Sequence, residues 1–517
     1  MHGKVSPMRE SQTTTRVGKL ILTSLSFLLV STLSACSMSS STEDASDGGA
    51  SDPSLERFYG QSVDWRECGE SLTCASITAP VDWADPQGET ISLSMIRHAA
   101  SSGQSVGAVF VNPGGPGQSG VDLVRNDFSN AVDADLAQSL DVIGFDPRGV
   151  GESHPVRCTG DASELDAFLY DIVPGVRGSE SWLDAKKEIA QRFVDGCQKY
   201  TGPLLAHLDT RSVAKDLDLM RALVGESHLN YLGYSYGTFI GEVYAQEFPQ
   251  NVGHLVLDGA VDAAAAGPES GDQAAGFEMA LGNWISWCLE RTDCPLDGTL
   301  ETASAQISDM LSSLDANPLP ASDGRLVGGD TFASGITSAL YSPDTWPDLL
   351  AMIAGYRSGD VDPAIGLADW YNGRNDDGTY VSNDTESFIA IGCADSPPSD
   401  ESTWADTAAL LRESAPVLGP YFAYGDVLCS LWPYPPVFAT AGMKPTGPAP
   451  IVIIGTTGDP STPIAWAQDV VTHLTDGRLI TYTGEGHTGY DKGNACVNSL
   501  VDNFFINDVA PPRDSTC

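Results

Sequence analysis

Basic residues are scarce in this chain. Of 517 residues, 27 are Lys or Arg against 69 Asp or Glu, a formal net charge of −42. Binding to a nucleic-acid backbone needs cationic side chains that displace counterions, so that class of partner is excluded. An acidic surface favours solubility and attracts cationic ligands, but it carries no information about fold. Histidine is scarce too, at 8 residues, and no Cys-x-x-Cys pair occurs. Scattered histidines and unpaired cysteine spacing speak against a zinc site, and no metal or cofactor is expected. Beyond the N-terminus no run is apolar enough to span a bilayer. The sequence also lacks an internal repeat.

What the N-terminus does contain is informative. Lys4, Arg9, Arg16 and Lys19 precede an apolar run from Leu20 to Leu33, followed by Ser34, Ala35 and Cys36. A basic head, an apolar middle and small residues at the break make a secretory signal over 1–35. "LSAC" resembles the bacterial lipobox, in which the cysteine is lipidated, so a membrane anchor on Cys36 is expected; plain cleavage with Cys36 incidental is the alternative. The stretch that follows is Ser, Asp and Gly with almost nothing to bury, and 36–58 reads as a flexible tether. Setting Cys36 aside, ten of the 11 cysteines remain, an even number that implies disulfides in an exported chain. Cys68 with Cys74 and Cys288 with Cys294 would close short loops. Neighbour pairing of Cys158 with Cys197, Cys393 with Cys429, and Cys496 with Cys517 is the simplest extension, although spacing alone does not fix it.

Short apolar runs at Ile91–His98, Val106–Val111, Leu140–Phe145 and His254–Leu257 end in Gly, Pro or Asp and read as buried strands. Val213–Val224 has helical periodicity and precedes another strand. The pattern resumes near 449 with "APIVIIGTTGD", an amphipathic "WAQDVVTHL" and a last strand, "GRLITYTGEGH". Strands alternating with helices predict an α/β fold with a mostly parallel sheet covered on both faces. Between Asp262 and about Gly447 the texture changes to helical spacing broken by Pro and Gly. The expected organisation is a core over 59–262, a largely helical cap over 263–447 inserted before the strand that carries an acid, and the rest of the core over 448–517. Such a cap would lie over the carboxyl ends of the strands, where open α/β sheets bind ligands.

One stretch, "LNYLGYSYGTFIGEVYA", sets Ser235 in Gly233-Tyr234-Ser235-Tyr236-Gly237 between a strand and a helix. Gly-x-Ser-x-Gly at that junction makes a sharp turn that exposes the serine hydroxyl. Serine is a weak nucleophile until a base takes its proton and an acid orients that base. In the α/β-hydrolase arrangement the order is Ser, acid, His. His487, in "GEGHTGY" after the last strand, and Asp459, in "GTTGDP" after the strand before it, satisfy that order. Asp258, one strand earlier, is a rival acid; its other reading is a carboxylate that bonds backbone at the start of the cap. Glu485 is too close along the loop to orient His487 and reads as solvated. For the developing oxyanion, one donor would be the backbone N–H of Tyr236 and another would come from Asn112-Pro113-Gly114-Gly115-Pro116-Gly117. Arg148, in "FDPRGVGES", reads as a tie between loops beneath the site.

Taken together, "NPGGPGQSG", "DPRGVGES", "GYSYGTFIGEVYAQEFP", "HLVLDGAVD", "ALYSPDTWPDLL", "IGCADSP", "GTTGDPSTP" and "GEGHTGY" resemble the exported tripeptidyl aminopeptidases of actinobacteria, within the prolyl-aminopeptidase family of α/β-hydrolase serine peptidases. The resemblance runs from about residue 60 to the C-terminus. It implies Ser235 as nucleophile, His487 as base, Asp459 as orienting acid, and Gly115 with Tyr236 as oxyanion hole. Its implied function is release of short peptides from free N-termini on the outer face of the cell membrane. Prolyl aminopeptidases proper have His-Gly-Gly-Pro-Gly where Pro113 stands here before Gly114, which favours the tripeptidyl branch. An aminopeptidase must hold a substrate ammonium, and Asp395 is the candidate; the alternative is a carboxylate accepting backbone bonds in a loop pinned by Cys393. An esterase or lipase on the same residues, an envelope endoprotease, and a non-catalytic peptide-binding lipoprotein are the other readings. The sequence leaves the oligomeric state open.

Overall fold

The computed structural model describes residues 53–262, 271–436 and 443–517. The export signal, Cys36 and most of the tether lie outside the described residues.

The strands are β1 (Arg66–Gly69), β2 (Leu72–Pro80), β3 (Thr90–His98), β4 (Ala108–Asn112), β5 (Asp141–Phe145), β6 (Leu229–Tyr234), β7 (Val252–Asp258), a short hairpin of β8 (Leu319–Pro320) and β9 (Leu326–Val327), then β10 (Ile451–Gly458), β11 (Gly477–Glu485) and β12 (Ser515–Thr516). All but the hairpin join one 10-stranded sheet in the order β1-β2-β3-β5-β4-β6-β7-β10-β11-β12. The first three strands pair antiparallel and β3 meets β5 antiparallel. From β5 to β12 every neighbour is parallel.

Period-two geometry explains why the central strands are apolar throughout. Along β4, Phe110 packs into a core on one face, while Val109 and Val111 pack into the core on the other. Along β10, Ile451 and Ile453 face the first core, and Val452 and Ile454 the second. A strand covered on both sides has no polar face to show. The helix Thr210–Val224 follows its sequence pattern: Val213, Leu217 and Met220 are buried, Asp209 caps the start by accepting from the Ser212 N–H, and Gly225 ends it in the left-handed region.

Between β7 and β10 the chain is largely helical, from Asp272–Leu289 to Trp404–Ser414, with the β8–β9 hairpin the exception among the described residues. These helices have their own core, with Trp284, Phe332 and Ile336 fully buried. The cap touches the carboxyl-end loops of the sheet. The His487 N–H donates to the Tyr341 carbonyl at 2.8 Å, and Asn283 donates to both carboxylate oxygens of Glu485. Glu485 is therefore engaged by the cap rather than solvated. Disulfides join Cys68–Cys74, Cys158–Cys197, Cys288–Cys294, Cys393–Cys429 and Cys496–Cys517. Neighbour pairing thus holds throughout. Among the described residues no helix is long and apolar enough to cross a membrane.

Candidate active site

Four loops converge at the carboxyl ends of β4, β6, β10 and β11. At the end of β6, Ser235 has φ 54° and ψ −125°, a conformation that side-chain-bearing residues rarely adopt. It is held there by the bond from its own N–H to the Asp258 carbonyl at 2.8 Å, and by Thr238, whose N–H and hydroxyl both donate to the Ser235 carbonyl. The turn needs glycine at 233, because a Cβ there would come within 2.4 Å of the Gly237 carbonyl oxygen.

The loop after β4 lies against this turn. A Cβ on Gly114 would sit 2.9 Å from the Tyr236 nitrogen and 3.0 Å from the Ser235 Cβ, so only glycine allows the approach. The Gly114 N–H is engaged by the Asn112 side-chain oxygen at 3.0 Å. Among the described residues no hydrogen bond engages the N–H of Gly115 or of Tyr236. Two free backbone donors beside a strained serine are what a developing oxyanion requires.

Asp459, at the end of β10, is fully buried. Its carboxylate accepts the N–H groups of Ser461 and Thr462 at 2.9 Å, the Thr462 hydroxyl at 2.9 Å, and the Thr488 N–H at 3.3 Å. His487 Nδ1 lies 2.9 Å from each of its oxygens. On the opposite edge of the ring, His487 Nε2 is buried and has no hydrogen-bond partner among the described residues. Burial alone would lower the basicity of His487. The charge and hydrogen bond of Asp459 outweigh that and hold it above the ordinary histidine value. The Tyr341 ring stands edge-on to the imidazole at 5.6 Å.

Asp258 is not beside His487 Nδ1. Its oxygens accept the N–H groups of Gly489 at 2.9 and 3.1 Å and of Tyr490 at 2.8 Å, and burial pushes its carboxyl up to about 6. It does bond backbone, as its second reading held, but the backbone is that of the histidine loop rather than of the cap entrance. Arg148, fully buried, holds Asp216 with two bonds of 2.7 and 2.8 Å and donates to the carbonyls of Pro80, Val81 and His207. It ties three segments together, as its loop position implies.

Asp395 requires a correction. It is 7% exposed, and both its oxygens are engaged by Thr210: one by the backbone N–H at 2.7 Å, the other by the hydroxyl at 2.7 Å. Burial pushes its carboxyl up to about 7. Thr210 Oγ1 also meets the Tyr236 hydroxyl. The carboxylate belongs to the wall beneath Tyr236 and accepts a backbone bond at the start of a helix, which is its second reading. Sequence reasoning passed over Thr210, Thr462 and Tyr341. Thr462 had a signal: Asp459-Pro460-Ser461-Thr462 is a pattern in which Asp accepts from the backbone two and three residues on. Tyr341 stands in "ALYSPDTWPDLL", one of the stretches that carry the resemblance, but nothing there marked it as a neighbour of His487, and Thr210 had no signal.

A serine strained at a strand-to-helix turn, with a buried His–Asp pair from later strands at the same edge of the sheet, defines a serine hydrolase of the α/β-hydrolase fold. A family model described as TAP-like protein matches residues 415–517. The serine protease Hip1 of Mycobacterium tuberculosis is 34% identical over 485 residues, covering 89% of this chain and 92% of that protein. Carboxylesterase B of the same organism is 35% identical over 474 residues, covering 88% and 89%. The tripeptidyl aminopeptidase of Streptomyces coelicolor is 30% identical over 469 residues, covering 88% and 86%. The chain belongs to the tripeptidyl-aminopeptidase-like family of α/β-hydrolase serine hydrolases.

Proposed function

We propose that the chain is an exported serine aminopeptidase that releases short peptides, tripeptides first among them, from free N-termini. Ser235 attacks the scissile carbonyl while His487 Nε2 takes its proton. Asp459 holds the ring through Nδ1 and stabilises the imidazolium that forms. The N–H groups of Tyr236 and Gly115 receive the oxyanion, and a positioned donor of this kind contributes about 3–4 kcal/mol to the transition state. His487 then gives the proton to the leaving amine, and water resolves the acyl-enzyme by the reverse relay. The observation that carries the acyl-transfer step is the buried, unpartnered Nε2 of an imidazole whose other nitrogen is committed to a buried carboxylate.

Likeness to a tripeptidyl aminopeptidase and to Hip1 supports peptide substrates; likeness to carboxylesterase B supports the second reading, an esterase on the same residues. The helices of the cap set how much substrate enters. Five disulfides suit an oxidising compartment outside the cytoplasm. Lipidation of Cys36 would place the enzyme on the outer face of the membrane, with Cys36→Ser releasing it or stalling its processing.

The test is a panel of tripeptidyl amides, free and N-acetylated, beside short acyl esters. Efficient cleavage of the free amides with at least tenfold loss on acetylation supports the aminopeptidase. Equal cleavage of both indicates an endoprotease, and cleavage of esters alone an esterase.

A further inference from the structure

Asn112 is a polar residue at the end of an apolar strand. It closes β4, whose other residues, Ala108, Val109, Phe110 and Val111, are all buried. Asn112 itself is 1% exposed, and its Nδ2 has no hydrogen-bond partner among the described residues. A buried donor left unpaired is unfavourable, so a leucine of similar shape would suit the strand at least as well. What the amide has and leucine lacks is an acceptor. Its Oδ1 takes the Gly114 N–H at 3.0 Å.

That acceptor lies between the segments that carry the two oxyanion donors. On one side runs Gly114-Gly115, with φ 95° and 103°, a conformation that favours glycine and that glycine loses much entropy to hold. The Gly114 carbonyl accepts the Gln118 N–H at 3.2 Å. Gly114 is thus held at its N–H by Asn112 and at its carbonyl by Gln118. The planar peptide bond passes that orientation to the Gly115 N–H, which points opposite the Gly114 carbonyl. On the other side, Asn112 stands in register with Gly233, the first glycine of the serine turn. It also packs on Gly237, the last. A Cβ on Gly237 would come within 2.8 Å of the Asn112 carbonyl oxygen and 2.9 Å of its Oδ1, so the approach needs glycine there. Gly237 directly follows Tyr236, whose N–H is the other donor.

We propose that Asn112 is a positioning residue for the oxyanion hole. Its Oδ1 fixes the Gly114–Gly115 peptide against the serine turn, so that the N–H groups of Gly115 and Tyr236 converge on one point. Asn112 does not touch the substrate and passes no proton. Its effect is felt as charge develops on the carbonyl oxygen, so it acts on the transition state and not on substrate binding. This role rests on the acyl-transfer reading of Ser235 and holds whether the leaving group is an amine or an alcohol.

The experiment compares wild type with Asn112→Leu and Asn112→Ala. Leucine removes the unpaired Nδ2 but leaves the Gly114 N–H unpaired, so Tm should stay near wild type. Alanine removes the same acceptor and leaves a cavity, so Tm should fall. Three readouts are taken: thermal unfolding, steady-state kinetics on an acyl ester and a tripeptidyl amide, and inhibition by a trifluoromethyl ketone, whose reversible adduct with Ser235 carries an oxyanion. In both variants kcat should fall at least about tenfold, with KM little changed. The ketone should bind more weakly by the same factor that kcat/KM loses. The two variants should lose similar factors of kcat although their Tm values differ. Wild-type kcat in Asn112→Leu overturns the proposal, as does a loss confined to KM. A loss of kcat that follows Tm, or failure of both variants to fold, makes Asn112 a packing residue and overturns it too. A wild-type enzyme that cleaves neither substrate overturns the acyl-transfer reading itself; an active wild type with an equally active Asn112→Leu overturns the positioning role alone.

Discussion

His487 Nδ1 stands 2.9 Å from both oxygens of Asp459, and that carboxylate also accepts the N–H groups of Ser461, Thr462 and Thr488. The acid is therefore fixed by its own loop and by the residue that follows the imidazole it orients. Asp459→Asn keeps the shape but offers an amide N–H where the ring needs an acceptor, which favours the wrong tautomer. Turnover should fall on the order of 10⁴-fold. Steady-state kinetics on the purified variant, with circular dichroism to confirm the fold, checks this.

The same relationship sets a pH dependence. Burial pulls the basicity of His487 down, and the Asp459 charge with its hydrogen bond lifts it further up, for a net rise above 6.5. The base works as neutral imidazole, so kcat/KM is full above that pKa and lost as pH falls through it. The acid limb of a kcat/KM profile on an ester without an ionisable amine should have its midpoint above 6.5 in the wild type. In Asp459→Asn the midpoint should move down, since the raising charge is gone.

Asp258 should behave differently. It holds the histidine loop through the N–H groups of Gly489 and Tyr490, and Asp258→Asn would turn an amide donor toward one of them. A buried donor left unpaired costs about 1–3 kcal/mol. Urea unfolding of Asp258→Asn should show that loss, while turnover at saturation changes far less than in Asp459→Asn. The reverse pattern would make Asp258 the orienting acid.

Asp395 is linked to Tyr236 through Thr210, and a role in holding that tyrosine makes a prediction different from a role in holding a substrate charge. Asp395→Asn should lower kcat roughly tenfold, equivalent to about 1.4 kcal/mol. Free and N-acetylated substrates should be affected alike, with KM little changed. Loss confined to the free form would return Asp395 to the role of ammonium holder.

How far these arrangements could be read in advance depended on where their signal lay. β4, β6, β7 and β10 are buried on both faces, so composition alone marked them. β1 is exposed along its whole length and β2 carries Thr and Ser on its exposed side; neither offers an apolar run, and both went unread. The meeting of Asp459 with His487 was legible because each follows a strand in a fixed order and glycines flank the histidine. Thr210 and Tyr341 were not legible, because their contacts with Asp395 and His487 span long stretches of chain and depend on how the cap settles. Asp395 was misplaced for a related reason. A carboxylate beside a disulfide-bonded cysteine looks the same in sequence whether it meets a ligand or a helix N-terminus.

The central claim is acyl transfer through Ser235, and covalent capture tests it most directly. The wild-type enzyme, treated with an active-site phosphonate, digested and mapped by mass spectrometry, should carry one adduct, on the peptide containing Ser235, with activity lost in proportion. Ser235→Ala should take no label and turn over no amide or ester. Labelling at another residue, or retained turnover in Ser235→Ala, would contradict the account.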